Sequence, residues 1–200
     1  MKRVMIQYRM RGEAEPVNSG ARTEKRRIRQ ETRMISQRLT PEYRREASGV
    51  ITRRVLALPF WAEAKTLMAY WSLPEEPDTR EIMETALREG KTLLLPRVLD
   101  AERMAAIPVK DLSEPLPGRM GIPEPPLPEE GVRIPAPDLI LVPCVAASMN
   151  GIRLGHGAGY YDRFLAESSG RTVCLCFRAL LRPDLPAEDT DIPVDLVITD

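Results

Sequence analysis

Residues 151–165 read GIRLGHGAGYYDRFL, a set of types and spacings suited to phosphate chemistry. Gly155, Gly157 and Gly159 alternate, so the backbone can take positive φ and a ligand can approach it closely. Where such a turn opens a helix, its free N–H groups can receive phosphate oxygens. Arg153 before the glycines supplies a permanent positive charge, and Asp162 after them supplies a carboxylate for a divalent cation that bridges phosphates. No Gly-Lys-Ser/Thr occurs, so this is not a Walker A loop, and Tyr160 stands where the dinucleotide fingerprint wants its third glycine. On spacing alone a second reading stays open: a tight strand-to-helix turn whose Tyr160 and Tyr161 pack in the core.

A second basic group lies in KRRIR, residues 25–29. Lys25 and Arg29 are four apart, so on a helix they share a face and could clamp an anion. Arg26, Arg27 and Arg33 lie close by, and by spacing alone a solvated basic face is the simpler reading.

The elements that must position these residues follow from periodicity. A helix is expected from about Thr23 to Leu39, with Ile28, Ile35 and Leu39 on one stripe. Thr40-Pro41-Glu42 starts the next helix, with threonine as N-cap and proline as its first residue, and Pro59 stops it after Leu58. TLMAYW (66–71) reads as a buried strand. Asp78 or Thr79 caps a helix that turns Ile82, Met83, Ala86 and Leu87 inward and ends at Gly90. TLLLP (92–96) is the next strand, and strand, helix, strand in so short a span make a parallel crossover unit. RMAAIPV (103–109) reads as a further strand. Residues Glu114 to Pro137 are proline-rich without a period, which suits a long surface connection. DLILVPCVA (138–146) is the most apolar run and the candidate central strand. After the glycine turn come a helix over Gly159–Ser168 and strands near 172–177 and 195–199.

The predicted fold class is α/β: an open, mostly parallel sheet with helices on both faces, three layers in a single domain over residues 23–200. Ligands bind such sheets beyond the carboxyl ends of the strands, where this turn falls. Residues 1–22 lack a continuous apolar segment and read as a tail rather than a signal peptide.

Basic and acidic residues balance at 29 each, which argues against nucleic acid as a bulk electrostatic partner while leaving room for a local basic pocket. No run approaches the length of a membrane span. His156 is the only histidine, which excludes a His-rich metal site. Cys144, Cys174 and Cys176 read as buried reduced thiols, and the expected compartment is the cytoplasm.

RLGHGAGYYDRFL resembles the signature of the 5-formyltetrahydrofolate cyclo-ligases, also called 5,10-methenyltetrahydrofolate synthetases. KRRIR (25–29), YWSLPEEPDT (70–79), LLPRV (94–98), GIPEP (121–125) and DIPVDLVITD (191–200) resemble further parts of that family in the same order, so the resemblance runs from Lys25 to Asp200. The chain differs from the usual pattern at Ala147-Ser148 (Phe-Asp), Ala158 (Lys or Gly), Leu180 (Gln) and Thr190 (His).

The resemblance implies a monomeric, ATP-dependent enzyme that converts 5-formyltetrahydrofolate to 5,10-methenyltetrahydrofolate with Mg²⁺. It assigns ATP to Lys25, Arg29, Arg153, Leu154, Gly155, His156, Gly157, Ala158, Gly159, Tyr160 and Tyr161. It assigns the reduced folate to Trp71, Glu76 and Tyr160, Mg²⁺ to Asp162 and Asp191, and catalytic roles to Arg153 and Tyr160. Without the resemblance, Glu76 is a charge on a loop tip, Asp191 a turn residue and Trp71 a core aromatic. The departures from the pattern keep an alternative open, a non-catalytic folate or nucleotide binder on the same fold.

Overall fold

The computed structural model describes residues 20–113, 116–118, 121–129 and 131–200. Its central sheet contains β1 (Thr66–Met68), β2 (Thr92–Val98), β3 (Met104–Val109), β6 (Leu139–Val142), β9 (Arg171–Leu175) and β10 (Leu196–Ile198). The strand order is β10-β9-β6-β1-β2-β3. All neighbours are parallel except β2 and β3, an antiparallel pair in which Leu95 faces Ile107. Two small ribbons, β4 (Leu116–Pro117) with β5 (Pro123–Glu124) and β7 (Ala146–Ala147) with β8 (Arg153–Leu154), stand outside it. The helices are α1 (Ala21–Ser36), α2 (Pro41–Leu56), α3 (Pro59–Glu63), α4 (Arg80–Arg88) and α5 (Tyr160–Ala166).

Every residue of β1 and β6 is buried. Successive strand residues point to opposite faces, so both faces of the sheet are covered. Leu67 and Met68, fully enclosed on opposite faces, each contribute about 1.5–3 kcal/mol relative to exposure. The chain leaves β1 through α4 to β2 on one side and leaves β6 through α5 to β9 on the other. Crossovers of this kind are right-handed, and opposite directions of travel put α4 and α5 on opposite faces. The order reverses between β1 and β6, and the crevice at their carboxyl ends is the place for a ligand.

Local chemistry sets the element ends. Thr40 Oγ1 accepts a hydrogen bond from the Tyr43 N–H (3.1 Å), and Pro41 opens α2. Asp78 accepts from the Arg80 N–H (2.9 Å) at the start of α4, while the Thr79 hydroxyl donates to the Tyr70 carbonyl. Gly90, at φ 75°, ends α4 as expected.

Several strands are shorter than the apolar runs that predict them. β6 stops at Val142 because Pro143 has no N–H to continue the ladder, and the rest of that run turns out into β7. β1 stops at Met68, with one more ladder bond from the Ala69 N–H to Leu94. Pro59 does not simply stop α2; it opens the one-turn helix α3. The connection expected over 114–137 contains the β4–β5 ribbon and lies partly outside the described residues. The expected tail is outside them as far as residue 19, and Ala21 and Arg22 already belong to α1. All three cysteines are free and buried. Among the described residues no helix is long and apolar enough to cross a membrane.

Candidate active site

The glycine turn is aimed by the β7–β8 hairpin at the carboxyl end of β6. Val145 N–H donates to the Leu154 carbonyl (2.7 Å) and Ser148 N–H to the Ile152 carbonyl (2.8 Å). Gly151 sits at the hairpin end at φ 94°, where a Cβ would come within 2.5 Å of the Val194 carbonyl oxygen. Only glycine fits there, and the close approach brings the segment before β10 alongside the turn.

Arg153 leaves β8 into that junction with its side chain 4% exposed. Its guanidinium donates to Asp162 Oδ1 (2.8 Å) and to the Ile192 carbonyl. Asp162 Oδ1 also accepts the Ile192 N–H (3.1 Å). The Arg153–Asp162 pair thus ties together both ends of the glycine turn and the Ile192 backbone on both sides. Asp191 stands next to Ile192, so the two aspartates read from sequence as metal ligands lie on adjoining segments.

Helix α1 closes one side. Its buried stripe contains Ala21, Lys25, Ile28, Thr32 and Ser36. Lys25 is therefore not part of a solvated basic face, although Arg26, Arg27 and Arg33 are exposed. Lys25 Nζ donates to Asp191 Oδ2 (2.5 Å) and Glu188 Oε2 (2.8 Å). The hydrogen bond from Lys25, followed by its charge, holds the Glu188 carboxyl below its ordinary value. Arg29 Nε donates to the Gly155 carbonyl (2.8 Å), and its guanidinium lies 3.5 Å from where a Cβ on Gly157 would stand.

The other side is closed by the loop after β1. Glu76 is buried; its Oε2 accepts the Leu73 N–H (2.9 Å), and its Oε1 lies 3.3 Å from His156 Nε2. Glu76 also lines a cleft of about 590 Å³ with Trp71, Ser48, Thr52 and Arg44, a size suited to a small heterocycle. Within the cleft wall the Trp71 Nε1–H is buried without a partner among the described residues. The Tyr161 hydroxyl is likewise unpartnered. Burial first, and the charge of Glu76 second, push that hydroxyl far above its ordinary value, so it stays a proton donor.

Tyr160 donates from its hydroxyl to the Asp100 carbonyl (2.9 Å), and the Arg163 guanidinium lies 5.3 Å from its ring centroid. The β2–β3 turn therefore carries one wall of the site. Gly157 at φ 108° and Gly159 at φ 72° use the left-handed freedom that the sequence offers. Ala158 gives its carbonyl to Arg163 (2.9 Å), and Leu154 is buried against Ile28 and Ala146.

The structure thus brings Lys25, Arg29, Arg153, the 154–161 turn, Asp162 and Asp191 together, with Glu76 touching His156 and lining the cleft that Trp71 shares. Glu188, Arg163 and the Asp100 turn are the residues that sequence reasoning missed. Glu188 meets Lys25 across 163 residues, and no local pattern announces it. Three of the departures from the family pattern have structural occupations here. Ala147 and Leu180 are buried apolar residues, and the Ser148 hydroxyl donates to the Pro183 carbonyl (3.2 Å).

Two carboxylates on adjoining segments, cations on the facing helix and a glycine turn between them suit a metal-bound polyphosphate. The buried carboxylate beside a cleft suits a heterocycle with N–H donors. Comparison with known proteins places the chain in a family. The Escherichia coli K12 5-formyltetrahydrofolate cyclo-ligase is 32% identical over 175 residues, covering 83% of this chain and 96% of the relative. The NMR structure of Aquifex aeolicus 5,10-methenyltetrahydrofolate synthetase is 32% identical with a TM-score of 0.75, covering 86% of this chain and 88% of its own. The Mycoplasma pneumoniae 5,10-methenyltetrahydrofolate synthetase, 20% identical with a TM-score of 0.70 over 88% of this chain and 99% of its own, shares the fold. The profile of the 5-formyltetrahydrofolate cyclo-ligase family matches residues 21–200, and the chain belongs to that family.

Proposed function

We propose that the chain converts 5-formyltetrahydrofolate and ATP to 5,10-methenyltetrahydrofolate, ADP and phosphate. The observation that carries this reading is the position of the glycine turn: Arg29 holds it on one side, and its His156 touches Glu76 on the other. A phosphate site and a heterocycle site that share a wall can bring a γ-phosphorus to a formyl oxygen.

The chemical difficulty is the leaving group. N10 of the folate must attack an amide-like carbon whose oxygen has to depart. Attack of the formyl oxygen on the γ-phosphorus expels ADP and turns that oxygen into a phosphate ester. N10 then bonds to the formyl carbon and gives up its proton, and the carbon–oxygen bond breaks to release phosphate. No enzyme nucleophile is needed; the chain aligns the reactants and neutralises charge.

Arg29 and the N–H groups of residues 155–161 hold the triphosphate. Lys25 reaches it by exchanging its carboxylate partners for phosphate oxygens. Arg153 keeps the turn and Asp162 in place through its buried contacts. Glu76 accepts N–H groups of the pterin, Trp71 lies along the ring, and Tyr160, fixed by Asp100, closes the ring's other side. The residues present fit Mg²⁺. Asp162 Oδ2 and Asp191 Oδ1 accept no hydrogen bond among the described residues, and Mg²⁺ takes one or two carboxylates alongside phosphate oxygens and water. When bound there, it would neutralise the phosphate oxygens. The protein acts as a monomer in the cytoplasm.

The binder alternative gains no support from Ala147, Leu180 and Ser148, whose roles here are packing and a backbone hydrogen bond. A heavy-oxygen label in the formyl group decides the chemistry. The account expects the label in the released phosphate; label retained in the folate or lost to water contradicts it.

A further inference from the structure

We propose that His156 is a positioning residue that couples the two ligand sites. It occupies Glu76 until nucleotide binds the glycine turn, and nucleotide thereby opens the carboxylate to the folate. The inference rests on the reading of Glu76 as the pterin-accepting group.

The geometry of Glu76 carries the argument. Its Oε2 is fixed by the Leu73 N–H at 2.9 Å, and its Oε1 faces the imidazole at 3.3 Å. A 2-amino-4-oxopyrimidine edge presents neighbouring N–H donors that match the two oxygens of a carboxylate. With His156 in place, Oε1 is covered. Of the two partners, the imidazole is the one free to leave: its side chain is 49% exposed, against 6% for Glu76.

The turn has the means to move it. Gly155 and Gly157 flank His156; a Cβ at Gly155 would meet nothing within 4 Å, and Gly157 already sits at φ 108°. Glu76, from the loop after β1, faces the imidazole, and Arg29, from α1, holds the neighbouring Gly155 carbonyl. Phosphate gathered by Arg29 and the turn's N–H groups draws the turn toward α1 and away from Glu76. Coupling of this kind is reciprocal, so folate raises nucleotide affinity by the same factor.

The test titrates the full chain with 5-formyltetrahydrofolate, with and without the β,γ-imido analogue of ATP and Mg²⁺. In wild type the analogue should raise folate affinity at least about fivefold, the low end of ordinary coupling between sites. In His156→Ala, folate alone should bind about as tightly as it does to wild type with the analogue, and the analogue should add little. His156→Asn, too short to reach Glu76, should behave alike and shows that a lost imidazole, not a lost fold, is responsible. Because the chain has one histidine, its imidazole NMR signal gives a direct readout. It should shift on adding the analogue alone, toward its position in unliganded Glu76→Ala. Coupling that survives in both His156 variants, or an imidazole signal unmoved by the analogue, overturns the inference while the function stands. Wild type that binds no folate overturns both.

Discussion

Arg153 and Asp162 meet at 2.8 Å from opposite ends of the glycine turn. The pair closes the turn on itself, and both partners reach on to Ile192, next to Asp191. Structure and proposed metal chemistry therefore depend on the same carboxylate. Breaking a fully buried ion pair costs about 3–5 kcal/mol, and the 27% exposure of Asp162 places this pair below that range.

Asp162→Asn keeps an acceptor for the Ile192 N–H and removes the charge. The expected stability loss is about 1–2 kcal/mol, the scale of a weakened charge-assisted hydrogen bond. Turnover at limiting Mg²⁺ should fall far more than stability. Thermal melts and a Mg²⁺ titration of activity check this; wild-type turnover at limiting Mg²⁺ would remove Asp162 from the metal site.

Gly155 and Gly157 should separate ligand space from backbone strain. At Gly155 an added Cβ meets nothing, so Gly155→Ala should leave the melting temperature near wild type, and any loss of ATP affinity reports phosphate occupying that space. At Gly157, φ 108° strains any other residue although the Cβ would only touch Arg29 at ordinary contact distance, so Gly157→Ala should lose stability through the backbone, and affinity with it. Equal melting behaviour of the two variants would contradict the description of the turn.

Asp100 gives a pH prediction. Its carboxyl is held at about 2, below its ordinary 3.8, by the backbone hydrogen bond from Glu102 first and the Arg103 side chain next. A lowered carboxyl stabilises the fold above its unfolded value, and that contribution is lost as pH falls through about 2. The β2–β3 turn, and with it the Tyr160 contact, should stay formed well below pH 3.8. A carboxyl NMR titration of Asp100 reads the midpoint directly; an ordinary midpoint would show that the turn does not grip it.

Arg29 and Glu76 should fail differently. Arg29→Ala removes the proposed phosphate contact, and a charge-assisted hydrogen bond of about 1.5–3 kcal/mol corresponds to a loss of roughly ten- to a hundredfold in ATP affinity. Glu76→Ala should weaken folate by a similar order without weakening ATP. Calorimetry on each ligand separately measures both, and equal loss of ATP affinity in the two variants would sink the division of the pocket.

The glycine turn and the elements that carry it are legible in the sequence because their signals are local, whereas Glu76 and Asp191 stand out only through the family resemblance. The glycine spacing, the Thr40-Pro41 cap and the apolar run before the turn each depend on near neighbours. Lys25 was legible in part: it lies three residues before Ile28 and seven before Thr32, on the buried stripe, but its charge argued for solvent. What pays for its burial is Glu188 and Asp191, distant in sequence and therefore invisible to periodicity. Strand ends were overestimated for a similar reason. TLMAYW and DLILVPCVA are apolar beyond their ladders because Tyr70, Cys144 and Ala146 are buried outside the sheet strands. Arg163 folds back over Tyr160 through contacts with Ala158 and Glu102 that only the turn's three-dimensional path provides.

The most direct test of the central claim is product formation. Purified protein is mixed with 5-formyltetrahydrofolate and MgATP, and the absorbance of the methenyl product is followed beside ADP release. The account predicts product that requires ATP, with one ADP formed per methenyl group. Binding of both ligands without methenyl product, even with enzyme in excess over folate, would contradict it.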